Sequence, residues 1–223
     1  MSNNKYTVVI PAYNAEKFIA ECLHSVLSQT IPPQQIIVVD DGSVDATAQI
    51  ARSASSIVKV ISTPNRGAGS ATTKGVADVQ TDIVAFVDSD DLWHPRKMEI
   101  QLARLNDTSQ HCDAVIAKMR SFGDTHIKNV NEEKSHWHRS NLALWMKSYH
   151  KVGDIRDLGN GYGEMIDWFS RAKHIGLKFA ILDDVLADRR IHSGSVSFNA
   201  TAGQAKDFIT AARLAFQRKN KLL

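Results

Sequence analysis

Short apolar runs alternate with longer amphipathic stretches along the first half of the chain. Residues 6–10, Tyr-Thr-Val-Val-Ile, form the first such run. Runs of this kind are typical of strands buried on both faces of a sheet. The stretches between them carry apolar residues at helical spacing, as Phe18, Ile19 and Leu23 do. The pattern predicts strands at residues 6–10, 36–39, 57–61 and 83–87, and helices at residues 15–29, 44–53, 67–79 and 96–105.

This alternation of strands and helices through short connections predicts an α/β fold with a parallel sheet covered by helices. Pro11 is expected to end the first strand, and Ser43 to cap the helix after the second. In such sheets, ligands bind beyond the carboxyl ends of the strands. Two acidic segments, residues 40–41 and 88–91, follow predicted strands and are therefore candidate site residues.

The second half of the chain is less regular. The polar, His-rich residues 121–139 suggest a mobile loop, and Gly176 is expected to end a helix that begins near Glu164. The pattern predicts strands at residues 114–119, 179–182 and 185–191, and helices at residues 142–149, 164–175 and 204–219.

Composition narrows the classes of protein. The 223 residues carry a net charge of +3, without the dense Lys/Arg clusters of a nucleic-acid-binding surface. Neither an apolar run of spanning length nor a secretory leader is apparent, and Cys22 and Cys112 are expected to be reduced. We therefore expect a soluble, cytoplasmic protein. The basic tail, with Arg213 and Arg218 beside Phe216, indicates either a helix at a membrane surface or partner, or a solvated helix.

Carboxylates in the pattern Asp88-Ser89-Asp90 are the first chemical candidate. Residues i and i+2 of an extended segment point the same way, so both carboxylates can face one hard cation such as Mg²⁺ or Mn²⁺. Short acidic clusters are more often solvated turns, but this one directly follows an apolar strand. At the other cluster, Asp41 either accepts hydrogen bonds from a base or ribose, or caps the next helix with Ser43.

Residues 63–69 and two later segments are further candidates. Residues 63–69, Thr-Pro-Asn-Arg-Gly-Ala-Gly, can offer Arg66 and a helix N-terminus to phosphate, or form a simple turn. Glu164 and Asp167 share a face near a helix start, where either is a candidate general base or an ordinary helix-capping residue. His192 can ligate a metal or a phosphate, although a lone His is more often structural.

Five segments together resemble glycosyltransferase family 2. They are residues 9–14, Val-Ile-Pro-Ala-Tyr-Asn; residues 25–30, Ser-Val-Leu-Ser-Gln-Thr; residues 38–43, Val-Val-Asp-Asp-Gly-Ser; residues 65–67, Asn-Arg-Gly; and residues 86–91, Phe-Val-Asp-Ser-Asp-Asp. The likeness resumes at residues 164–176 and 189–197 and is weak over residues 110–160.

The resemblance implies a GT-A fold, with a mixed, mostly parallel sheet flanked by helices in one domain over residues 1–223. Residues 1–108 would form the nucleotide-sugar half, residues 109–200 the acceptor half, and residues 201–223 a terminal helix. The implied activity is inverting, metal-dependent transfer of a sugar from a nucleotide-diphosphate sugar, UDP-sugar favoured, to an acceptor hydroxyl.

The resemblance also implies the roles of individual residues. Asp90, Asp88 and His192 would hold Mn²⁺ or Mg²⁺, with Asp167 or Glu164 as the catalytic base, and Asp41 would read the nucleotide base. The implied nucleotide-binding residues are Pro11, Ala12, Tyr13, Asn14, Asp41, Asn65, Arg66, Gly67, Asp88 and Ser89.

Two departures from the family pattern stand out. Met165 replaces the Asp of an expected Glu-Asp pair, and Thr72 stands where many members carry Arg. These departures leave open a member that binds nucleotide sugar without transferring it. The basic tail alone favours a further alternative, a structural protein that binds partners.

Overall fold

The computed structural model describes residues 5–123, 133–135, 137–158, 163–192 and 202–220. The strands are β1 Tyr6–Ala12, β2 Gln35–Asp40, β3 Val58–Ser62, β4 Ile83–Phe86, β5 Leu92–Trp93, β6 Ala114–Gly123, β7 Glu133–Ser135, β8 Leu142–Trp145 and β9 Phe179–Ile191. The helices are α1 Ile19–Leu27, α2 Thr47–Ala54, α3 Ala68–Val76, α4 Lys97–Leu105, α5 Met146–Val152, α6 Glu164–His174 and α7 Ala202–Asn220, with short 3₁₀ turns at Thr108–Gln110 and Arg139–Asn141.

The described strands form one mixed sheet in the order β3-β2-β1-β4-β8-β6-β9-β5, and β7 pairs with β6. The pairs β3-β2, β2-β1 and β1-β4 are parallel, and so is the long β6-β9 pair. Shorter antiparallel pairs join β4 to β8 and β8 to β6. Most paired residues are therefore in parallel ladders, and the predicted fold class is confirmed.

The sheet divides the apolar core into two layers. Val8 and Ile10 of β1 face the layer that contains Ile19 of α1 and Met98 of α4. Val9, between them, faces the opposite layer, which also contains residues of α3, α5 and α6. Because both faces are covered, the central strands carry no polar face, which explains their continuous apolar runs.

Pro11 does not end β1, which continues to Ala12. Val87 N–H donates to Val9 O, so the backbone groups of alternate residues, including the nitrogen of Pro11, point towards β4. The pairing of β4 with β1 ends at Val9 and Phe86. The missing N–H of Pro11 therefore costs no hydrogen bond of the sheet.

The predicted helix cap at Ser43 is also wrong, because α2 begins only at Thr47. Ser43 Oγ instead accepts from Asn14 N–H at 2.9 Å, and Val44 N–H donates to Asn14 Oδ1 at 3.0 Å. Residues 43–44 are thus used to bind the segment after β1. Asn14 has a positive φ of 47°, which Asn tolerates better than most residues.

Three predictions in the second half are corrected. Residues 142–149 are not one helix, because Leu142–Trp145 forms β8 between β4 and β6 before α5 begins. The predicted loop at residues 121–139 contains the end of β6, the strand β7 and the start of a 3₁₀ turn, and residues 124–132 and 136 lie outside the described part. Residues 179–191 form one strand rather than two.

Lys97 is a fully buried lysine in the layer beneath β5. Its Nζ donates to Gln101 Oε1 at 2.6 Å and lies 3.9 Å from the centre of the Trp93 ring. Burial lowers the pKa of Lys97 well below its ordinary 10.5. Gln101 Nε2 in turn donates to Asn141 O at 2.7 Å, so this buried network supports the Arg139–Asn141 turn.

The buried lysine predicts a specific pH dependence of stability. Between the lowered folded pKa and the ordinary value of 10.5, the unfolded chain binds one proton more at Lys97 than the folded chain. The free energy of unfolding should therefore rise with pH in this window, by up to about 1.4 kcal/mol per pH unit. In Lys97→Met this contribution should disappear, whereas Lys151→Met, at an exposed position of α5, should retain it. Urea unfolding from pH 6 to 9 measures the slopes, and equal slopes in all three proteins would refute the assignment.

Candidate active site

The parallel strands β1, β2, β3 and β4 have their carboxyl ends at one edge of the sheet, and a polar segment follows each of them. Asp41 N–H donates to Ala12 O at 2.8 Å, and Thr63 N–H donates to Asp40 O at 2.8 Å. These bonds extend the sheet into the segments that follow β2 and β3. Pro11 and Ala12 are buried at this edge, whereas the side chain of Tyr13 is 51% exposed beside them.

The carboxylate of Asp41 holds the loop that precedes α3. Asp41 Oδ2 accepts from Gly67 N–H at 2.7 Å, and Oδ1 accepts from Arg66 N–H at 3.0 Å and from the Thr63 hydroxyl at 3.3 Å. Asn65 and the Arg66 side chain remain exposed at the tip of this loop. Asp41 therefore holds in place the loop that carries the Arg66 guanidinium and leads into the N-terminus of α3.

Glycines allow this loop to approach the rest of the site. Gly67 has φ of 89°, a conformation that favours glycine at the start of α3. A Cβ on Gly69 would lie 3.1 Å from Glu164 Cγ and 3.3 Å from Ile155 Cγ2. Gly69 therefore lets the first turn of α3 pack directly on the first residue of α6.

The acidic segment after β4 places its three carboxylates in different surroundings. Asp91 is buried, where Oδ2 accepts from Ser140 Oγ at 2.5 Å and Oδ1 from Arg190 N–H at 3.0 Å. Asp88 and Asp90 are each about a quarter exposed, and Ser89 between them is also partly exposed. Asp91 thus anchors the segment, while Asp88 and Asp90 remain accessible to solvent.

His192 lies beside Asp90, with Nε2 3.1 Å from Asp90 Oδ2, and its ring packs 4.5 Å from the centre of Phe18. Residues 193–201, which include the rest of the family-like segment 189–197, lie outside the described part of the chain. Asp88, Asp90 and His192 bring two carboxylates and an imidazole to one end of β4.

Electrostatics at this cluster suits a bound cation. Burial and the neighbouring Asp88 carboxylate raise the pKa of Asp90, which His192 only partly opposes. For Asp88, the effect of burial is outweighed by Arg139 and His138, which hold the pKa below its ordinary value. The two accessible carboxylates repel each other, and a divalent cation between them would remove this cost, so the residues present fit Mg²⁺ or Mn²⁺.

A second set of possible metal ligands shares Asp88. Oxygens of Asp88 and Asp91 and a ring nitrogen of His138 all lie within 4.8 Å of one another. Both Asp91 oxygens already accept short hydrogen bonds, and Nδ1 of His138 accepts from Ser140 N–H at 3.3 Å. Asp91 and the Nδ1 atom of His138 thus already hold Ser140 of the Arg139–Asn141 turn and Arg190 of β9, which favours Asp88 and Asp90 as the cation-binding pair.

Arg139 is a site residue that the sequence analysis missed. Its buried guanidinium donates through NH2 to Glu164 Oε1 at 2.9 Å and through NH1 to Thr72 Oγ1 at 3.0 Å. NH1 also lies 3.3 Å from Asp88 Oδ1. Arg139 thus brings a guanidinium to the side chain of Thr72, where the family pattern leads one to expect an arginine. Only the fold could reveal this, because Arg139 comes from a polar segment without a motif.

The two candidate bases have different partners. Glu164 is buried beside Arg139 and the start of α3, and burial raises its pKa although Arg139 opposes the shift. Asp167 is also buried, and its two oxygens accept from Arg171 Nε at 2.8 Å and from Arg218 NH2 at 2.7 Å. The structure therefore connects Glu164, but not Asp167, to Asp88 through a single side chain.

The family model described as Glycosyl transferase family 2 matches residues 7–165. GlyA of Streptococcus pneumoniae serotype 4 is 28% identical over 159 residues, which cover 70% of this chain and 22% of GlyA. The hyaluronan synthase of Pasteurella multocida is 26% identical over 235 residues, covering 96% of this chain and 23% of the synthase. The chain thus spans less than a quarter of the length of these two relatives.

Among solved structures, the fold is similar to that of residues 1–349 of TarS from S. aureus, determined in complex with UDP-GlcNAc. The TM-score is 0.75 at 21% sequence identity, and the match covers 96% of this chain and 66% of the TarS chain. At this identity the similarity shows a shared fold.

The loop held by Asp41 predicts a stability change. Asp41→Asn keeps the size of the side chain but removes the charge and one acceptor, which leaves a partly buried N–H of the loop unpaired. The free energy of unfolding should fall by about 1–3 kcal/mol. Asp183→Asn, whose side chain is 96% exposed in an ion pair with Lys118, should change it by less than about 1 kcal/mol. Urea denaturation measures both variants, and equal losses would contradict the role of Asp41.

Proposed function

The chain belongs to glycosyl transferase family 2, and on that premise we propose that it transfers a sugar from a nucleotide-diphosphate sugar to an acceptor hydroxyl with inversion at the anomeric carbon. The observation that carries the proposal is the accessible pair Asp88 and Asp90, of which Asp88 connects to Glu164 through Arg139. Arg139 also contacts Ala68 O in the first turn of α3. A cation site, a phosphate site and a base would thus lie at one edge of the sheet.

The donor would bind where β1 and β2 end. Tyr13 offers an exposed ring for a nucleotide base. Asp41 is buried at the same edge of the sheet and binds the loop that carries Asn65 and Arg66. The first backbone N–H groups of α3 and the Arg66 guanidinium favour the negative charge of a diphosphate. Pro11, Ala12, Asn14, Gly67 and Ser89 would shape this pocket. The UDP-GlcNAc complex of the similar TarS structure supports a preference for UDP-sugars.

Asp88 and Asp90 would hold a divalent cation, Mn²⁺ or Mg²⁺, with His192 beside Asp90. When bound, the cation would neutralise the charge that develops on the departing nucleoside diphosphate. Arg190 joins the backbone at Asp90 to helix α1. Its Nε donates to Asp90 O at 3.0 Å, and its NH2 donates to Glu21 Oε2 at 2.5 Å. These contacts restrain the backbone at Asp90.

Glu164 is the base that the geometry favours. Burial gives its carboxylate a raised pKa and therefore a stronger affinity for a proton, which suits removal of the acceptor proton as the hydroxyl attacks. Arg139 would keep enough of the carboxylate ionised and fix its position against Gly69. Asp167, the leading sequence-based candidate, is instead held by two arginines, and these ion pairs favour a role in joining α6 to α7.

A second candidate is binding of the nucleotide sugar without transfer. Two observations favour it: Met165 replaces the acidic partner that the family pattern has after Glu164, and the Glu164 carboxylate is already paired with Arg139. This candidate shares the donor site, so it differs from the first only in turnover.

Nucleotide binding tests the donor site. We expect UDP or GDP to bind in titration calorimetry with Mn²⁺ present and at least tenfold more weakly without it, because Asp88 and Asp90 then face the diphosphate uncompensated. Asp90→Ala should remove the Mn²⁺-dependent gain in affinity. Asp183→Ala, which changes an exposed acidic residue that pairs with Lys118, should retain it. Tight nucleotide binding that is the same with and without Mn²⁺ and in Asp90→Ala would refute the cation site.

Turnover separates the two candidate bases and the two candidate functions. With UDP-sugars and Mn²⁺, Glu164→Gln should reduce the release of UDP by about 100-fold or more, the usual contribution of a general base. Asp167→Asn should lower the free energy of unfolding, and it should reduce the rate per folded molecule much less than Glu164→Gln does. A wild-type protein that binds UDP-sugar but releases no UDP would favour the non-transferring alternative.

The pH profile gives an independent readout of Glu164. Since the base must be ionised and its pKa is raised above the ordinary 4.5, the rate should fall on the acid side at a pH above 4.5. Arg139→Gln removes a cation that lowers this pKa, so the acid limb should move to higher pH. An acid limb that Arg139→Gln leaves in place would refute this pairing.

A further inference from the structure

The terminal helix α7 packs on α6 through one face. Asp207 and Ala211 are buried on this face, and a Cβ on Gly163 would lie only 3.1 Å from Ala211 Cβ. Arg218, seven residues after Ala211, donates to Asp167 on α6 at 2.7 Å. Asp207, Ala211 and Arg218 therefore form one stripe along the helix, and this stripe attaches α7 to the fold.

The opposite face of α7 carries large apolar side chains in solvent. Ile209 and Phe216 are each 65% exposed. They are seven residues apart, so they lie on one stripe, and they follow the packed residues Asp207 and Ala211 by two and five positions. At 3.6 residues per turn, Ile209 lies about 200° around the helix axis from Asp207. The outward stripe is thus unrelated to packing on α6.

Cations line one side of this apolar stripe. Lys206 and Arg213 are exposed, and each precedes an apolar residue of the stripe by three positions, so they form an adjacent stripe. Asp207 is the acidic residue among the described side chains of α7, and it is buried on the inner face. The outer surface of the helix therefore combines apolar and positive groups, with its negative group turned inwards.

We propose that the outward face of α7 binds an anionic lipid surface, with Ile209 and Phe216 inserted and Lys206 and Arg213 on the headgroups. Helices with this combination lie in the plane of the interface. Charge complementarity selects this occupant, because a second copy of the chain would bring cation against cation. Two apolar side chains are also few for a stable protein interface, which buries about 800 Å² on each partner. Within the described residues, no helix is long and apolar enough to cross a membrane.

The position of α7 relates this surface to the proposed chemistry. The helix packs directly on α6, whose first residue is Glu164. An interface at the outer face of α7 would therefore lie one helix layer from the proposed base, on the acceptor half of the fold. This consequence rests on the proposed function, whereas the lipid contact itself does not.

Vesicle flotation with the full chain tests the proposal. The probes are vesicles of phosphatidylcholine alone and of phosphatidylcholine with 30% phosphatidylglycerol. We expect binding to the anionic vesicles and at least tenfold weaker binding to the neutral ones. Ile209→Ser with Phe216→Ser, and separately Lys206→Gln with Arg213→Gln, should each reduce anionic binding at least tenfold, and 1 M salt should weaken the contribution of the cations.

The matched control is Val44→Ser, which changes an apolar side chain that is 90% exposed in the segment between β2 and α2. It should leave vesicle binding unchanged. No binding of the wild-type chain to anionic vesicles would overturn the proposal. So would sedimentation that shows a dimer which Ile209→Ser with Phe216→Ser converts to a monomer, since a second copy would then cover the stripe. UDP binding measured in the same variants should be retained, so a failure of lipid binding remains separate from a failure of the donor site.

Discussion

Repulsion among the carboxylates after β4 is the constraint on which the site depends. Asp88, Asp90 and Asp91 fall within four residues at the end of a buried strand, where little water screens them. Different partners oppose the charge of each: Ser140 and Arg190 donate hydrogen bonds to Asp91, Arg139 lies beside Asp88, and His192 lies beside Asp90. The opposition is incomplete for Asp91 and Asp90, whose pKa values stay raised, chiefly through burial. Asp91 is buried, whereas Asp90 is about a quarter exposed, so Asp90 is the one of the two that an added cation can reach.

The residues that compensate come from remote parts of the chain. Ser140 lies in a turn supported from below by Gln101 and Trp93, whose side-chain N–H groups donate to Asn141 O and Ser140 O. A cluster that appears as one short motif in the sequence is therefore built from the second half of the fold. This explains why a two-layer core, rather than a local loop, is needed to hold three carboxylates at one edge.

The sequence predicted the elements that follow from a local pattern of residues, and it missed the features that depend on contacts between distant parts of the chain. The alternation that produces β1 to β4 and the helices between them is local, so the fold class and the edge that carries Asp41 and Asp88 followed from it. Leu142–Trp145 fits either a helix or a strand by pattern, and only the gap between β4 and β6 makes it a strand. Likewise, Glu164 and Asp167 are equivalent as neighbours on α6, and their different partners come from Arg139 and from Arg218 on α7.

The insertion of β8 beside β4 has a consequence for the order of folding. Ile83 of β4 pairs with Trp145, so the strands β3-β2-β1-β4 can assemble on the ribosome well before one edge of the sheet is covered. At about 5–20 residues per second, the sixty residues between them take roughly 3–12 s to synthesise. During that interval the nascent chain exposes both an unpaired strand edge and carboxylates without Arg139. The segment with Arg139, Ser140 and β8 supplies both missing partners together, so the covering of the β4 edge and the pairing of Asp88 with Arg139 belong to one folding event.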